Sequence, residues 1–306
     1  LSPDTGIAAM RPAVASAPPQ VDLFPPARQR GRLMTLIIRH PTIAFGLTLL
    51  GLMILMAVFA DFLWTTDPQA LAPARRTREP SAAHWFGTDM LGRDVYSRVV
   101  FGTRISLIVG ISVAFLASAI GLLVGLFAGF VRILDAVIMR IVDGLMSIPP
   151  ILLAIALMAL TRASVQNVII AITIAEIPRV TRLVRGIVLS LREQPYVEAA
   201  IAAGTPTWKI VLKHILPNTL APLTVQATFI CASAMITEAI LSFIGAGTPP
   251  IIPSWGNIMA EGRALWQVKP FIVFFPALFL SITVLAVNLL GDGLRDALDP
   301  RLAKRL

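Results

Sequence analysis

Long apolar runs separated by short polar stretches set the pattern of this 306-residue chain. A bilayer core of about 30 Å takes roughly 20 predominantly apolar residues per helix. Residues 43–63, 105–131 and 271–291 meet that length cleanly, and 220–246 meets it around Glu238. Residues 144–160 and 165–178 are shorter, and the latter runs on into a basic amphipathic stretch. The pattern predicts an all-α membrane protein with six transmembrane helices. Pro149 and Pro150, Pro178, Pro222 and Pro276 predict kinks in the last four spans.

Composition points the same way. With 56% hydrophobic and 14% charged residues and a mean hydropathy of +0.79, an ordinary soluble domain is excluded. The net charge of +9 does not call for nucleic acid, because basic residues in a multispan protein mark the cytoplasmic side. Counted that way, most Lys and Arg fall inside if both termini are cytoplasmic. The outer segment 64–103 weakens the contrast, since Arg75, Arg76, Arg78, Arg93 and Arg98 all lie in it.

Four regions follow. Residues 1–33 are proline-rich at the start and read as a disordered cytoplasmic tail. Arg28, Arg30, Arg32 and Arg39 favour orientation and contact with anionic membrane lipid. Residues 34–100 hold the first span and an outer loop, 101–292 the remaining spans, and 293–306 a cytoplasmic C-terminal tail. The first apolar run begins about forty residues in and is too long for the apolar core of a signal peptide, so no cleaved secretory signal is expected. In the outer loop, Asp94 is placed to cap an amphipathic stretch 95–104 whose Tyr96, Val99, Val100 and Phe101 would lie on the membrane surface.

Three features carry candidate function. The second span holds Gly121, Gly125 and Gly129, small residues one turn apart that let helices approach closely in lipid. Carboxylates inside apolar spans are costly and face protein or a cavity; Asp143, Glu176 and Glu238 are the three here. Asp143 lies one turn from Arg140 and is expected to pair with it, and Glu176 one turn from Arg179. Either glutamate could instead line a translocation path. The third feature is the segment 179–214, where Pro195 ends a basic helix and Glu198-Ala199-Ala200 leads to Gly204 as a left-handed stop. Thr205 and Pro206 would open a second helix whose Trp208, Val211, Leu212 and Ile215 share one apolar face, before Leu216-Pro217-Asn218. Ala-rich surface in so oily a chain is expected to be covered by something.

Several chemistries have no residues to carry them. The sequence contains no GxxxxGK[ST] phosphate loop, and His40, His84 and His214 are scattered without metal-ligand spacing. Cys231 is the single cysteine and lies in an apolar span.

The segment 192–217 resembles the EAA loop of membrane subunits in bacterial ATP-binding-cassette importers. His214-Ile215-Leu216-Pro217-Asn218 looks like the version in the dipeptide, oligopeptide and nickel branch, as do 87–94, 238–245 and 288–296. The resemblance spans about residues 36–301 and is closest to the C-type permease of a heteromeric pair. It implies a type I importer transmembrane fold and a non-catalytic subunit in the inner membrane. It also implies ATPase coupling through Glu198, Ala199, Ala200, Gly204, Leu216 and Pro217. The partners it implies are a second homologous permease, two ATP-binding subunits that hold the ATP, and an extracytoplasmic solute-binding protein. The chain itself would need no cofactor and no metal. Glu176 departs from the family pattern, which expects an uncharged residue there. The competing readings are an ion-coupled secondary transporter or channel using Glu176 or Glu238 and, far behind, an intramembrane enzyme.

Overall fold

Each apolar run becomes helix because lipid offers no partner for a free peptide group. A computed structural model describes residues 41–298; the expected N-terminal tail with its arginines, and the chain after 298, lie outside the described residues. In chain order the helices are α1 Pro41–Val58, α2 Val95–Phe130, α3 Arg132–Met146, α4 Pro150–Ala159 and α5 Val165–Arg192. Then follow α6 Pro195–Ala202, α7 Thr207–Ile210, a π-helical turn Val211–Ile215, α8 Leu216–Phe243, α9 Trp255–Gly262 and α10 Phe271–Leu298. The described residues contain helices, turns and isolated bridges, without named strands.

Four of these helical stretches are long and apolar enough to cross a membrane by themselves: α1, α2, α10 and the continuous run Thr207–Phe243. A fifth is counted only if α3 and α4 are joined, and they bend by 87° at the break before Pro150. The third expected span is therefore a sharply broken one. Pro150 has no N–H to donate and sits at the first position of the new helix. The fourth expected span is α5. Its 28 residues rise about 42 Å, but its second half is charged and amphipathic. α10 runs through Leu298, so the segment expected to be a tail from 293 begins as helix.

α2 departs from expectation at its N-terminal end. It starts at Val95 and runs without a break to Phe130, so 95–104 is the first part of the span helix and not a separate surface helix. Val99 and Val100 are buried against protein and do not lie on the membrane. The cap itself is as expected: Asp94 Oδ2 accepts from the Ser97 amide at 2.8 Å.

The bundle is organised around the α2–α5 contact, its most extensive helix pair. Gly121, Gly125 and Gly129 face Val180, Val184 and Val188 in register, and all six are buried. A Cβ added at Gly125 would stand 2.7 Å from Val184 Cβ and 2.9 Å from the Thr181 carbonyl. Glycine is required there by space. At the end of the seam, Arg192 Nη1 donates to the Gly129 carbonyl at 2.9 Å. The small-residue stripe thus packs within the subunit. α8 lies against both α2 and α5, and α10 closes the bundle against α1 and α8.

The seam makes a differential forecast. Gly125→Ala should lower thermal stability of the purified complex by about 1–3 kcal/mol through overpacking. Gly186→Ala, on an exposed face of the same helix pair with open space around it, should be neutral or stabilise by about 0.5–1 kcal/mol. Equal effects at the two sites would show that the seam is not the tight contact.

Candidate functional site: a two-faced loop and the bundle behind it

The loop between α5 and α8 is built by three local devices. Pro195 opens α6, with Gln194 extended before it. Gly204 ends it at φ +75°: the Gly204 amide reaches the Ile201 carbonyl at 2.9 Å and the Thr205 amide reaches Ala200 at 3.0 Å. That pair of bonds is a Schellman stop, which wants glycine at the left-handed position. The expected Thr205 cap is displaced by one residue, because Pro206 precedes the helix and α7 begins at Thr207.

The third device is Leu216-Pro217-Asn218. Pro217 has no N–H and cannot complete an ordinary α-turn. The turn before it widens, and the Leu216 amide bonds to the Val211 carbonyl five residues back. Asn218 Nδ2 donates to the His214 carbonyl at 2.6 Å.

The result has two faces. Val197, Ile210 and Ile215 are buried and belong to the same apolar cluster as Val180, Val184 and Val188. Tyr196, Ile201, Trp208 and Leu212 are exposed. The apolar face expected from Trp208, Val211, Leu212 and Ile215 is therefore split. Ile215 turns inward with Ile210, while Trp208 and Leu212 turn out. Glu198, Ala199 and Pro217 are exposed, Leu216 is half-buried, and Ala200 packs against the core from its edge. Lys209 Nζ lies 5.4 Å from the Trp208 ring centroid, so the outward surface mixes aromatic, cationic and acidic groups.

Glu176 and Glu238 do not share a site. Glu176 is buried where α5 meets α8. Its Oε2 lies 3.2 Å from Arg179 Nη1 and its Oε1 accepts from Ser233 at 3.4 Å. The Arg179 contact lacks hydrogen-bond geometry, so it is an ion pair only. Glu238 is fully buried at the far end of α8. Asp143 pairs with Arg182 of α5 at 2.5 Å and not with Arg140. Asp135 takes Arg185 through two oxygens, at 2.5 and 2.7 Å. These two rungs tie α3 to α5. Periodicity along one helix could not show a partner on another.

At the opposite end of the bundle, residues 87–94 make a collar. Asp89 is buried and accepts from Arg93 Nε and Arg98 Nη1, each at 2.7 Å. Glu261 of α9 accepts from the same two guanidinium groups, Arg98 Nη2 at 3.2 Å among the contacts. The two arginines that diluted the inside–outside charge contrast are thus neutralised within the protein. Trp255 is fully buried and its Nε1 donates to the Val99 carbonyl at 3.1 Å. Neither α9 nor this network was evident from the apolar pattern; the one local trace is Ser254, whose side chain caps α9. Nearby, Lys269 beside exposed Glu79 holds its carboxyl below the ordinary carboxylate range.

The described residues thus form a helical bundle with a two-faced loop at one end and an ion-paired collar at the other. The family model for the binding-protein-dependent transport system inner membrane component matches residues 121–304. A probable peptide ABC transporter permease protein, y4tQ, of Sinorhizobium fredii (strain NBRC 101917 / NGR234) is 51% identical over 267 residues, 87% of this chain and 91% of the relative. The dipeptide transport system permease protein DppC of Alkalihalophilus pseudofirmus is 43% identical over 84% of this chain and 85% of its own length. The glutathione transport system permease protein GsiD of Pectobacterium atrosepticum is 43% identical over 86% and 88%. Among solved structures, the inward-facing MetNI methionine ABC transporter matches with TM-score 0.53 and 24% identity, covering 66% of this chain and 96% of that one. That last likeness speaks for the fold.

The chain belongs to the binding-protein-dependent inner-membrane component family. It is a permease subunit of an ATP-driven importer, a non-catalytic membrane component of a complex whose other subunits include the ATPase. Family membership decides against the ion-coupled carrier and the intramembrane enzyme.

The collar can be tested alone. Glu261→Gln removes one of two anions from two buried guanidinium groups. Breaking a fully buried pair costs about 3–5 kcal/mol. Glu261 is about a quarter exposed, so a loss of about 1–3 kcal/mol is expected in thermal unfolding of the complex. An unchanged midpoint would mean that Asp89 and Trp255 hold the collar without Glu261.

Proposed function

We infer that this permease forms half of the translocation path for dipeptides, oligopeptides or related small solutes, and that its partner half is a second, homologous permease. The support is the agreement of the relatives' names on peptide, dipeptide and glutathione transport. In this reading ATP is bound by two separate subunits, and an extracytoplasmic binding protein delivers solute at the collar. Both termini are cytoplasmic, which puts the α6–α7 loop inside and residues 64–94 outside. In this reading 192–217 is the coupling loop. ATP-dependent uptake of labelled di- and tripeptides by proteoliposomes holding the whole complex tests the solute class. Uptake of free amino acids without any of peptides would overturn it.

The observation that carries the coupling role is the two-faced loop. Its exposed side offers Tyr196, Glu198, Ile201, Trp208 and Leu212 to an ATPase, and its buried side is continuous with the α2–α5 seam. Ala199, Ala200 and Gly204 keep the surface low enough for close seating, and Leu216 and Pro217 set the wide turn that aims it. A pull on the outer face is delivered to α5 through Val197, Ile210 and Ile215. Gly204→Val forces a branched side chain into left-handed backbone, and Ala200→Arg fills the edge of the docking face. Each should abolish uptake while membrane insertion stays intact. Normal uptake in both, with the ATPases still bound, would remove this loop as the coupling element.

Topology has its own check. In a Cys231→Ser background, cysteines at Ala82 and Thr205 should be labelled from opposite sides of the membrane. Labelling from one side would break the assigned orientation.

Glu176 and Glu238 are both covered in the isolated subunit. A path-lining role for Glu176 requires a state in which α5 and α8 separate, and one for Glu238 a state in which the α8–α9 hairpin opens. For Glu176, beside Ser233 at that contact, the expectation is that Glu176→Gln changes the ratio of cationic to neutral peptide uptake with ATPase activity unchanged. Destabilisation partly relieved by Arg179→Gln would assign it to the ion pair alone.

A further inference from the structure

A cavity of about 360 Å³ opens at the collar end, lined by Trp64, His84, Trp85, Asp94 and Tyr96 with three smaller residues. The Trp64 and Trp85 ring centroids lie 6.4 Å apart at 63°, and those of Trp85 and Tyr96 4.8 Å apart at 58°. Rings inclined in this way do not cover one another's faces as a stacked pair would. Two costs meet at Trp64. It is 86% exposed, and its backbone sits at φ +50°, a left-handed conformation that a bulky residue adopts under strain. A tryptophan gains from a membrane interface, but that gain does not ask for a strained backbone.

Height separates this cavity from lipid. Arg104 donates to the Val58 carbonyl at 3.1 Å and to Asp61 at 2.8 Å, which marks the level where α1 ends and charge begins. Tyr96 lies eight residues before Arg104 on the same helix, about 12 Å further along its axis. Its hydroxyl donates to the Leu63 carbonyl at 3.0 Å. A headgroup layer is about 5–8 Å deep on each side, so the cavity stands beyond it. Its charge is also defined. Asp94 is the one acid in the lining, which includes neither Lys nor Arg. A carboxylate has about four acceptor sites. Asp94 fills three of them: Oδ1 with His84 Nδ1 at 2.9 Å, and Oδ2 with the Ser97 amide and hydroxyl at 2.8 and 2.7 Å. One site on Oδ1 stays free.

We propose that this cavity binds one organic ammonium group among the Trp64, Trp85 and Tyr96 rings, with Asp94 as its counter-charge. Aromatic faces attract such cations within about 6 Å of the ring centroid. An anion would meet Asp94 with no Lys or Arg in the lining to offset it, and an uncharged group would gain nothing from the carboxylate. The ammonium belongs to the amino end of a peptide or to a lysine of the extracytoplasmic binding protein. Both arrive at this end in the orientation inferred above, on which the source of the group depends and the site does not.

The test uses the intact importer complex in nanodiscs of phosphatidylglycerol, whose headgroup carries no ammonium. A cysteine at Ala82, in the cavity lining, is labelled with a maleimide in a Cys231→Ser background. Against NaCl at matched ionic strength, choline chloride should slow labelling of this subunit saturably, by about tenfold at tenfold excess over the dissociation constant. The uncharged isostere 3,3-dimethyl-1-butanol should not. Trp64→Ala and Asp94→Asn should each lose the protection, and Ser281→Ala, whose exposed hydroxyl bonds its own helix, should keep it. Asparagine still caps a helix, so Asp94→Asn removes the charge alone and decides the matter if Trp64→Ala does not assemble. Protection by alanylalanine and none by its N-acetyl form assigns the group to the solute. Protection by the solute-free binding protein that is lost on acetylating its lysines, with neither dipeptide protecting, assigns it to that protein. Equal labelling with and without choline would overturn the site. So would equal protection by the isostere, or protection that survives Asp94→Asn. Both faces of a nanodisc are open to reagent, so these outcomes stand apart from the topology experiment.

Discussion

Close approach of α2 and α5 is the contact on which the rest of this subunit depends. In lipid there is little hydrophobic gain in bringing two apolar helices together, so packing has to supply the attraction. Three glycines facing three valines, one turn apart, bring the backbones close and fix the height of α5 against α2. Once α5 is fixed, so are its ends. Arg192 latches one end to the Gly129 carbonyl, and α6 starts three residues later at Pro195. Arg182 and Arg185 draw in α3 through Asp143 and Asp135.

The two ends of the bundle solve different problems with the same economy. At the collar, buried arginines are made tolerable by equal numbers of carboxylates, and Trp255 fills the space beneath them. That end is built to be stiff. At the loop end, only three residues turn inward while aromatic and aliphatic side chains stay uncovered. Such a surface is costly in water unless a partner covers it. Its inner residues share one apolar cluster with the seam valines of α5.

Legibility followed range. Gly204 as a helix stop, Asp94 as a cap, the proline break before α4 and the glycine stripe were readable because each acts within a turn or two of its own position. The family motif in 192–217 was readable for the same reason. What could not be read was pairing across the fold. Asp143 has a nearby arginine in sequence, yet takes Arg182 from another helix. Arg93 and Arg98 looked like surplus outer charge until Glu261 was brought beside them. The inward turn of Ile210 and Ile215 depends on the wide turn imposed by Pro217, which shifts the faces away from those an ideal helix would give. α9 is too short and polar to stand out among apolar runs, so its buried Trp255 was missed.

The central claim is that the exposed face of the 195–215 loop is where ATP-driven motion enters this subunit. Cysteine cross-linking to the ATPase tests it most directly, using the assembled complex in a Cys231→Ser background. Cysteines at Ile201 and Trp208, on the exposed face, should cross-link to the ATPase through a short bifunctional reagent, with a yield that changes on adding ATP. Cysteines at Val197 and Ile210, on the buried face, should not. Cross-linking from the buried pair, or none from the exposed pair in an active complex, would contradict the account.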